Sequence, residues 1–244
     1  MDKELAQRIF SCIDNTTLNA TDNEQHVEAF CRHTMEMGKV AAVCIYPRFV
    51  ACAKRTLAGS GIRVASVAGA FPHGQLPISL KVEEVKYAVG EGADEIDMVL
   101  SRGALLAGDN DLVRDEVALM KQACQGKTLK VIIETGELPS PDLIATASRL
   151  AIDGGADFIK TSTGKIATGA TLDAAEVMLT VIAEHQKKTG RKVGFKAAGG
   201  ISTPDEAFSF ALLTKKILGD NFIDKQTFRI GASRLTDRLF ASLT

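Results

Sequence analysis

Two lysines close short apolar runs in this chain, Lys160 in Asp157-Phe158-Ile159-Lys160-Thr161 and Lys196 in Gly194-Phe195-Lys196-Ala197-Ala198. Lysine is among the residues least often buried without a partner. A single lysine at a strand end is ordinarily paired with a carboxylate, but two in one pocket make a poor structural choice. They make better sense as an amine nucleophile that forms a Schiff base with a carbonyl substrate, beside a second cation that tunes it. A free lysine with a pKa of about 10.4 is only about 0.04% neutral at pH 7. A second ammonium about 5 Å away, at an effective dielectric of about 20, disfavours the charged form by roughly 3 kcal/mol, about two pKa units. Desolvation pushes the same way.

The acid this chemistry needs is found through an internal echo. Gly92-Ala93-Asp94-Glu95-Ile96-Asp97 and Gly155-Ala156-Asp157-Phe158-Ile159-Lys160 share the frame G-A-D-x-I-[D/K]. Both lie where a helical pattern gives way to a strand, so Asp97 and Lys160 stand at equal heights on their strands. Counted along the apolar runs these are strands three and five, and alternate strands of a (β/α)8 barrel supply one interior layer. Asp97 and Lys160 are therefore expected to face each other. A carboxylate beside Lys196 can deliver a proton to the departing hydroxyl during imine formation and remove one from carbon to make an enamine, through a bound water. A salt bridge to either lysine is compatible with that role and keeps Asp97 ionised.

Glycines mark a candidate anion site. Gly199-Gly200 follows one strand and Gly231-Ala232-Ser233 follows the last, where barrels commonly hold phosphate on backbone N–H groups and a helix N-terminus. Lys165 adds charge nearby. Nucleotide motifs are absent: Thr163-Gly164-Lys165-Ile166 lacks the first glycine and the final Ser/Thr of a P-loop, and Gly90-Glu91-Gly92 precedes a strand where a dinucleotide fingerprint must follow one.

The elements that must position these residues read as repeated βα units, hence an α/β chain folded as a single-domain (β/α)8 TIM barrel. Strands are expected over residues 40–45, 63–67, 95–100, 129–134, 157–161, 193–197 and 228–231, with an eighth between Ile217 and Ile223. Residues 1–38 are expected to form a helical segment ahead of the first strand. Helix starts are signalled by Thr21 with Glu24, by Ser140-Pro141-Asp142 and by Thr203-Pro204-Asp205-Glu206.

Composition narrows the function classes. A net charge of −1 leaves no basic field to hold nucleic acid. No apolar run approaches the roughly 18 residues of a membrane span, and the amino terminus carries no secretory pattern, so a cytoplasmic protein with no membrane partner is expected. Five scattered cysteines without a C-x-x-C pair read as reduced thiols, and the four histidines show no metal-ligand spacing.

With these residues assembled, the sequence resembles the deoxyribose-phosphate aldolase family of class I aldolases. The resemblance runs from Ile13-Asp14-Asn15-Thr16-Thr17-Leu18 to Gly231-Ala232-Ser233, through Val43-Cys44-Ile45-Tyr46-Pro47, residues 92–97, Val131-Ile132-Ile133-Glu134-Thr135-Gly136, residues 157–165 and residues 194–200. It implies Lys160 as the Schiff-base lysine, Lys196 as the residue tuning its pKa, and Asp97 as the proton relay. It implies Lys165, Gly199, Gly200, Gly231 and Ser233 around a phosphate, with Asp14, Thr16 and Cys44 lining the pocket. The implied reaction is reversible cleavage of 2-deoxy-D-ribose 5-phosphate to D-glyceraldehyde 3-phosphate and acetaldehyde, without a cofactor, by a monomer or a homodimer. Two rivals stand beside it: a lysine aldolase for another phosphorylated sugar, and a barrel that binds sugar phosphates without turning them over. The sequence departs from many relatives in having Arg234 where a second serine follows Gly-Ala-Ser, which places a longer-range charge there. It ends Ser242-Leu243-Thr244 with no tyrosine tail, so no proton transfer by such a tail is expected.

Overall fold

The computed structural model describes residues 2–243. In chain order the elements are α1 (Lys3–Ser11), β1 (Ile13–Thr16), α2 (Glu24–Met37), β2 (Ala42–Ile45), α3 (Val50–Thr56), β3 (Arg63–Ala68), α4 (Ile78–Gly90), β4 (Glu95–Val99), α5 (Arg102–Leu106) and α6 (Asn110–Ala123). They continue with β5 (Thr128–Ile132), α7 (Pro141–Asp153), β6 (Phe158–Lys160), α8 (Leu172–Thr189), β7 (Gly194–Ala198), α9 (Pro204–Leu218), β8 (Phe228–Ala232) and α10 (Leu235–Leu243). The eight strands pair in sequence order, all parallel, and β8 closes on β1. This is a (β/α)8 barrel. Among the described residues no helix is long and apolar enough to cross a membrane, and all five cysteines are free thiols. Thr244, on which the expected lack of a tyrosine tail rests, lies outside the described residues.

The seven strands expected after residue 40 are present, but the eighth is not between Ile217 and Ile223. Those residues form the last turn of α9 and a short 3-10 turn at Asp220–Phe222. The missing strand is β1, inside the segment expected to be helical, so the first barrel strand comes before residue 38 and not after it. Its sequence, Ile-Asp-Asn-Thr, carries no apolar alternation because two of its polar side chains are bonded inside the fold. Asp14 turns into the barrel, and Asn15 turns out to bond Thr34 of α2 and Thr236 of α10. The numbering of every later strand rises by one, so Asp97 and Lys160 stand on β4 and β6, still of equal parity.

One helix start also differs. Asn23, not Thr21, caps α2, accepting from the His26 backbone N–H, whereas Ser140 and Thr203 cap α7 and α9 as their Ser-Pro and Thr-Pro-x-Glu patterns predict.

The internal echo has a structural cause. Asp94 accepts the Val64 N–H at 2.9 Å and pairs with Lys54 at 2.9 Å; Asp157 accepts the Leu129 N–H at 2.7 Å and pairs with Lys121 at 2.5 Å. Each aspartate thus anchors its strand to the preceding one and to the helix behind it. The glycines two residues earlier, Gly92 and Gly155, lie in the left-handed region with φ of 103° and 97°, each against the stem of that same lysine.

Side chains alternate along the strands with the period of two that a pleat imposes. Val43, Ile45, Val64, Ile96, Met98, Leu129, Val131 and Ile159 face the helices in the main apolar core, each fully buried aliphatic contributing about 1.5–3 kcal/mol. Inside, the barrel is divided. Small apolar residues, Ala42, Cys44, Ala65 and Val67, fill the side formed by β2 and β3, and charged residues from β1 and β4 to β8 occupy the other.

Candidate active site

Lys160 and Lys196 are register partners on β6 and β7, so their side chains leave the sheet in the same direction. Both ammonium nitrogens lie 2.7 Å from Asp97 Oδ2, which puts them within twice that distance of each other. The other Asp97 oxygen accepts from Lys130 of β5 at 2.9 Å. Lys196 is held from its far side by Asp14. Lys130 also meets Asp14 at 3.1 Å and Glu95 at 2.5 Å. Arg229 of β8 closes the cluster with bonds to Asp14 at 2.5 Å and to the two Glu95 oxygens at 2.7 and 3.0 Å.

This cluster holds three carboxylates, Asp14, Glu95 and Asp97, against four buried cationic groups, Lys130, Lys160, Lys196 and Arg229. Arg63, half-exposed, reaches Glu95 from the rim at 3.1 Å. A buried charge is costly unless paired, so the interior balances best when one amine is neutral. Lys160 is the amine with the weakest claim on a proton, because it touches one carboxylate while Lys196 touches two and Lys130 three. Burial opposes the charged form of every member, and the outcome depends on what opposes burial. For Lys160 burial prevails over Asp97, with Lys196 adding repulsion, and its pKa falls below the ordinary lysine value. For Lys196 and Lys130 the carboxylates overcome burial, and both are held protonated. Asp97 is held well below the usual carboxylate range: burial would raise it, but Lys130, Lys160 and Lys196 together outweigh burial.

Burial and the charge of Lys196 thus act on Lys160 in the same direction, and burial is the larger of the two. Lys130, Glu95 and Arg229 were not signalled by the reasoning that found the lysine pair. A lone charge in an apolar strand was the available signal, and it applies equally to Lys130 in Leu129-Lys130-Val131 and to Arg229 in Phe228-Arg229-Ile230.

Above the charged floor opens a cavity of about 220 Å³. Of the three lysines inside the barrel, Lys160 alone reaches its wall. Thr16, Lys165, Gly199, Gly200, Gly231 and Ser233 also line it, while Asp97, Lys196, Asp14 and Cys44 are buried beneath. Arg234 joins the rim, and among the described residues no carboxylate lines the cavity. Gly199 and Gly200 have φ of 92° and 81°, a turn most side chains resist. Gly231 serves the floor as well, since a Cβ there would lie 3.0 Å from Lys196 Cε. The Lys165 ammonium bonds the Leu18 carbonyl, linking the loop after β6 to the loop after β1.

An amine of lowered basicity at the foot of a cavity with a cationic, glycine-rich mouth is chemically suited to react with an anionic carbonyl compound. Comparison with known proteins agrees: the family model of DeoC/LacD aldolases matches residues 8–233. The chain belongs to the DeoC/LacD family of aldolases. Among solved structures, this family member superposes on an apo form of a provisionally assigned deoxyribose-phosphate aldolase from Toxoplasma gondii ME49, at 26% identity over 99% of this chain and 97% of that one, with a TM-score of 0.90. It is 28% identical to a provisionally assigned deoxyribose-phosphate aldolase from Coccidioides immitis, over 97% of this chain and 86% of that one, with a TM-score of 0.84. A tetrameric deoxyribose phosphate aldolase from Aeropyrum pernix matches at 25% identity over 99% and 97% of the two chains, with a TM-score of 0.76.

Proposed function

We propose that this DeoC/LacD aldolase reversibly cleaves 2-deoxy-D-ribose 5-phosphate to D-glyceraldehyde 3-phosphate and acetaldehyde through a Schiff base on Lys160. The carrying observation is that Lys160 is the barrel lysine that opens to the cavity and also the one whose burial is least compensated. Its neutral amine adds to the aldehyde carbon of the open-chain sugar, and loss of water gives a protonated imine. That imine accepts the electron pair released when the C2–C3 bond breaks, as a base removes the C3 hydroxyl proton. Glyceraldehyde 3-phosphate departs, leaving an enamine. Protonation at carbon and hydrolysis release acetaldehyde and regenerate the amine, and no external electron carrier enters the balance.

Asp97 and Lys196 are the proton-handling pair. Asp97 is kept ionised and Lys196 protonated by their neighbours, so one accepts and the other donates at neutral pH, through a water bound at Lys160. The phosphate is assigned to the mouth, where Lys165, Arg234 and the backbone at Gly199, Gly200 and Ser233 converge. Thr16 supplies a wall contact; Asp14 supports Lys196 from below, and Cys44 packs against the charged cluster from the apolar side.

Borohydride with acetaldehyde tests the assignment. An ethyl group is expected on Lys160, located by peptide mass spectrometry. A label on another lysine, or none while the protein is folded, overturns it. Release of acetaldehyde from 2-deoxy-D-ribose 5-phosphate, read by a coupled reductase, tests the substrate.

A further inference from the structure

Glu134 lies just beyond β5, outside the cavity, and combines three unusual features. Its side chain is fully buried. Its backbone is left-handed, φ 54° and ψ 64°, a conformation uncommon for any residue with a side chain. Its carboxylate is spent almost entirely on one residue of the next loop: Oε1 accepts the Thr163 N–H at 3.1 Å, and Oε2 accepts the Thr163 hydroxyl at 2.5 Å and the same N–H at 3.3 Å. Thr163 Oγ1 in turn accepts the Lys165 N–H at 3.1 Å. On its other side Glu134 Oε2 lies 3.9 Å from Arg102 Nη1; Arg102 also pairs with Glu137 at 2.5 Å and donates to the Pro72 carbonyl at 3.2 Å. The carboxylate thus joins a brace over the loops after β3, β4 and β5 to the loop after β6, which carries Lys165.

We propose that Glu134 is a positioning residue for the anion end of the cavity, holding the turn at 163–165 so that Lys165 and the adjacent backbone present a fixed cradle to a phosphoryl group. The inference rests on the assignment of phosphate to the mouth made above. Thr163, Gly164 and Lys165 line the cavity but belong to neither β6 nor α8, so no regular hydrogen-bond ladder fixes them. Backbone bonds bracket Glu134 without reaching that turn, from Ile133 N–H to the Lys160 carbonyl at 3.0 Å and from Thr135 N–H to the Thr161 carbonyl at 2.9 Å. They hold the reactive lysine's own strand. Beyond Thr161, the Glu134 carboxylate takes over. The residues thereby divide the work: β5 and β6 hold Lys160 for chemistry, and Glu134 holds the turn for recognition. A carboxylate beside an anion site is tolerable here because its lone pairs are occupied by Thr163 and its charge is offset by Arg102.

The test separates recognition from chemistry. Glu134→Gln keeps the shape but replaces one acceptor oxygen with a donor. The expected result is that kcat/KM for 2-deoxy-D-ribose 5-phosphate falls about tenfold, mostly through KM, and the Kd of inorganic phosphate measured by calorimetry rises by about the same factor. Activity on unphosphorylated 2-deoxy-D-ribose and the rate of borohydride trapping at Lys160 should change less than about twofold. Thr163→Val, which deletes the hydroxyl but keeps the N–H, should give the same phosphate-selective loss, while Thr163→Ser restores wild-type behaviour. The double variant should be no worse than the poorer single one, since both cut one link. Should Glu134→Gln not fold, Thr163→Val with its Ser control carries the test alone. Equal loss on both sugars, or unchanged phosphate affinity in the folded variants, overturns the inference. Failure of acetaldehyde trapping in the wild-type protein would instead strike the Schiff-base assignment and leave the phosphate-binding arm to be judged by itself.

Discussion

On the barrel floor, Lys130, Lys160, Lys196 and Arg229 share three carboxylates in a tight web of bonds; at the mouth, Lys165 and Arg234 form no ion pair among the described residues. The floor cannot wait for a partner, because an unpaired charge shut away from water is too costly to keep. The mouth can, since water and ions satisfy its cations until an anion arrives. Lys160 lies on the boundary, buried with the floor yet facing the cavity. Among the floor's amines it is the one whose pKa is drawn below the ordinary lysine value, because burial outweighs its single carboxylate, and on the proposed mechanism it is therefore the amine that most readily gives up a proton to meet substrate. The basicity of this amine is set by the whole cluster more than by one neighbour.

The most severe way to break this arrangement is Lys160→Ala. Turnover should fall to the uncatalysed background in an acetaldehyde-release assay, with far-ultraviolet circular dichroism unchanged. Next comes Asp97→Asn, expected to lower kcat by about 10²–10⁴-fold. Its pH profile separates proton transfer from tuning. Loss of the negative charge beside Lys160 makes that amine easier to deprotonate, so the acid limb should move to lower pH even as the maximum collapses. An acid limb moving upward would mean that the contact between Asp97 and Lys160 is not what sets the amine.

Lys130 provides a test from below. Lys130→Met takes one cationic partner from each of three buried carboxylates, which keep Lys160, Lys196 or Arg229, and should cost about 3–5 kcal/mol in urea unfolding. It also leaves more uncompensated negative charge in the floor, so Lys160 should hold its proton to higher pH and the acid limb of kcat/KM should shift upward. Glu95→Gln removes negative charge instead, and the limb should shift downward. Opposite signs from two residues that touch neither cavity nor substrate would establish that the floor acts through its charge count; shifts of the same sign would refute it.

How far these features were legible depends on how each residue enters the fold. Lys160, Lys196 and Asp97 were readable because a charge within a short apolar strand violates its pattern, and for Asp97 and Lys160 because the shared G-A-D-x-I frame fixes their height; Lys160 ends β6, whereas Asp97 and Lys196 lie mid-strand in β4 and β7. The structure adds why that frame recurs, in the anchoring roles of Asp94 and Asp157. Strand β1 was not readable as a strand, since Asp14 and Asn15 are polar for reasons of tertiary bonding and leave no alternation behind. Glu134 was legible only as part of a block of similarity. Its work depends on a left-handed backbone and on a partner 29 residues away, and neither leaves a periodic trace.

At the mouth the same logic predicts effects on binding without effects on the amine. Lys165→Met removes a charged hydrogen-bond donor worth about 1.5–3 kcal/mol to a phosphoryl oxygen, so KM for the phosphorylated sugar should rise roughly 10–100-fold with kcat and the pH profile unchanged. Arg234→Ala should do less. Its side chain is exposed and, among the described residues, held by no carboxylate, and solvent screens it, so a loss of up to about 1 kcal/mol is expected, a fewfold rise in KM. That small effect has a sharp signature in salt. Raising ionic strength from low to physiological should weaken substrate binding in the wild type and do so less steeply in Arg234→Ala, while the activity of Lys160 toward unphosphorylated aldehydes responds to neither. If salt and the Arg234 change alter turnover of unphosphorylated aldehydes as much as that of the sugar phosphate, mouth and floor are one electrostatic unit, and the division drawn between them fails.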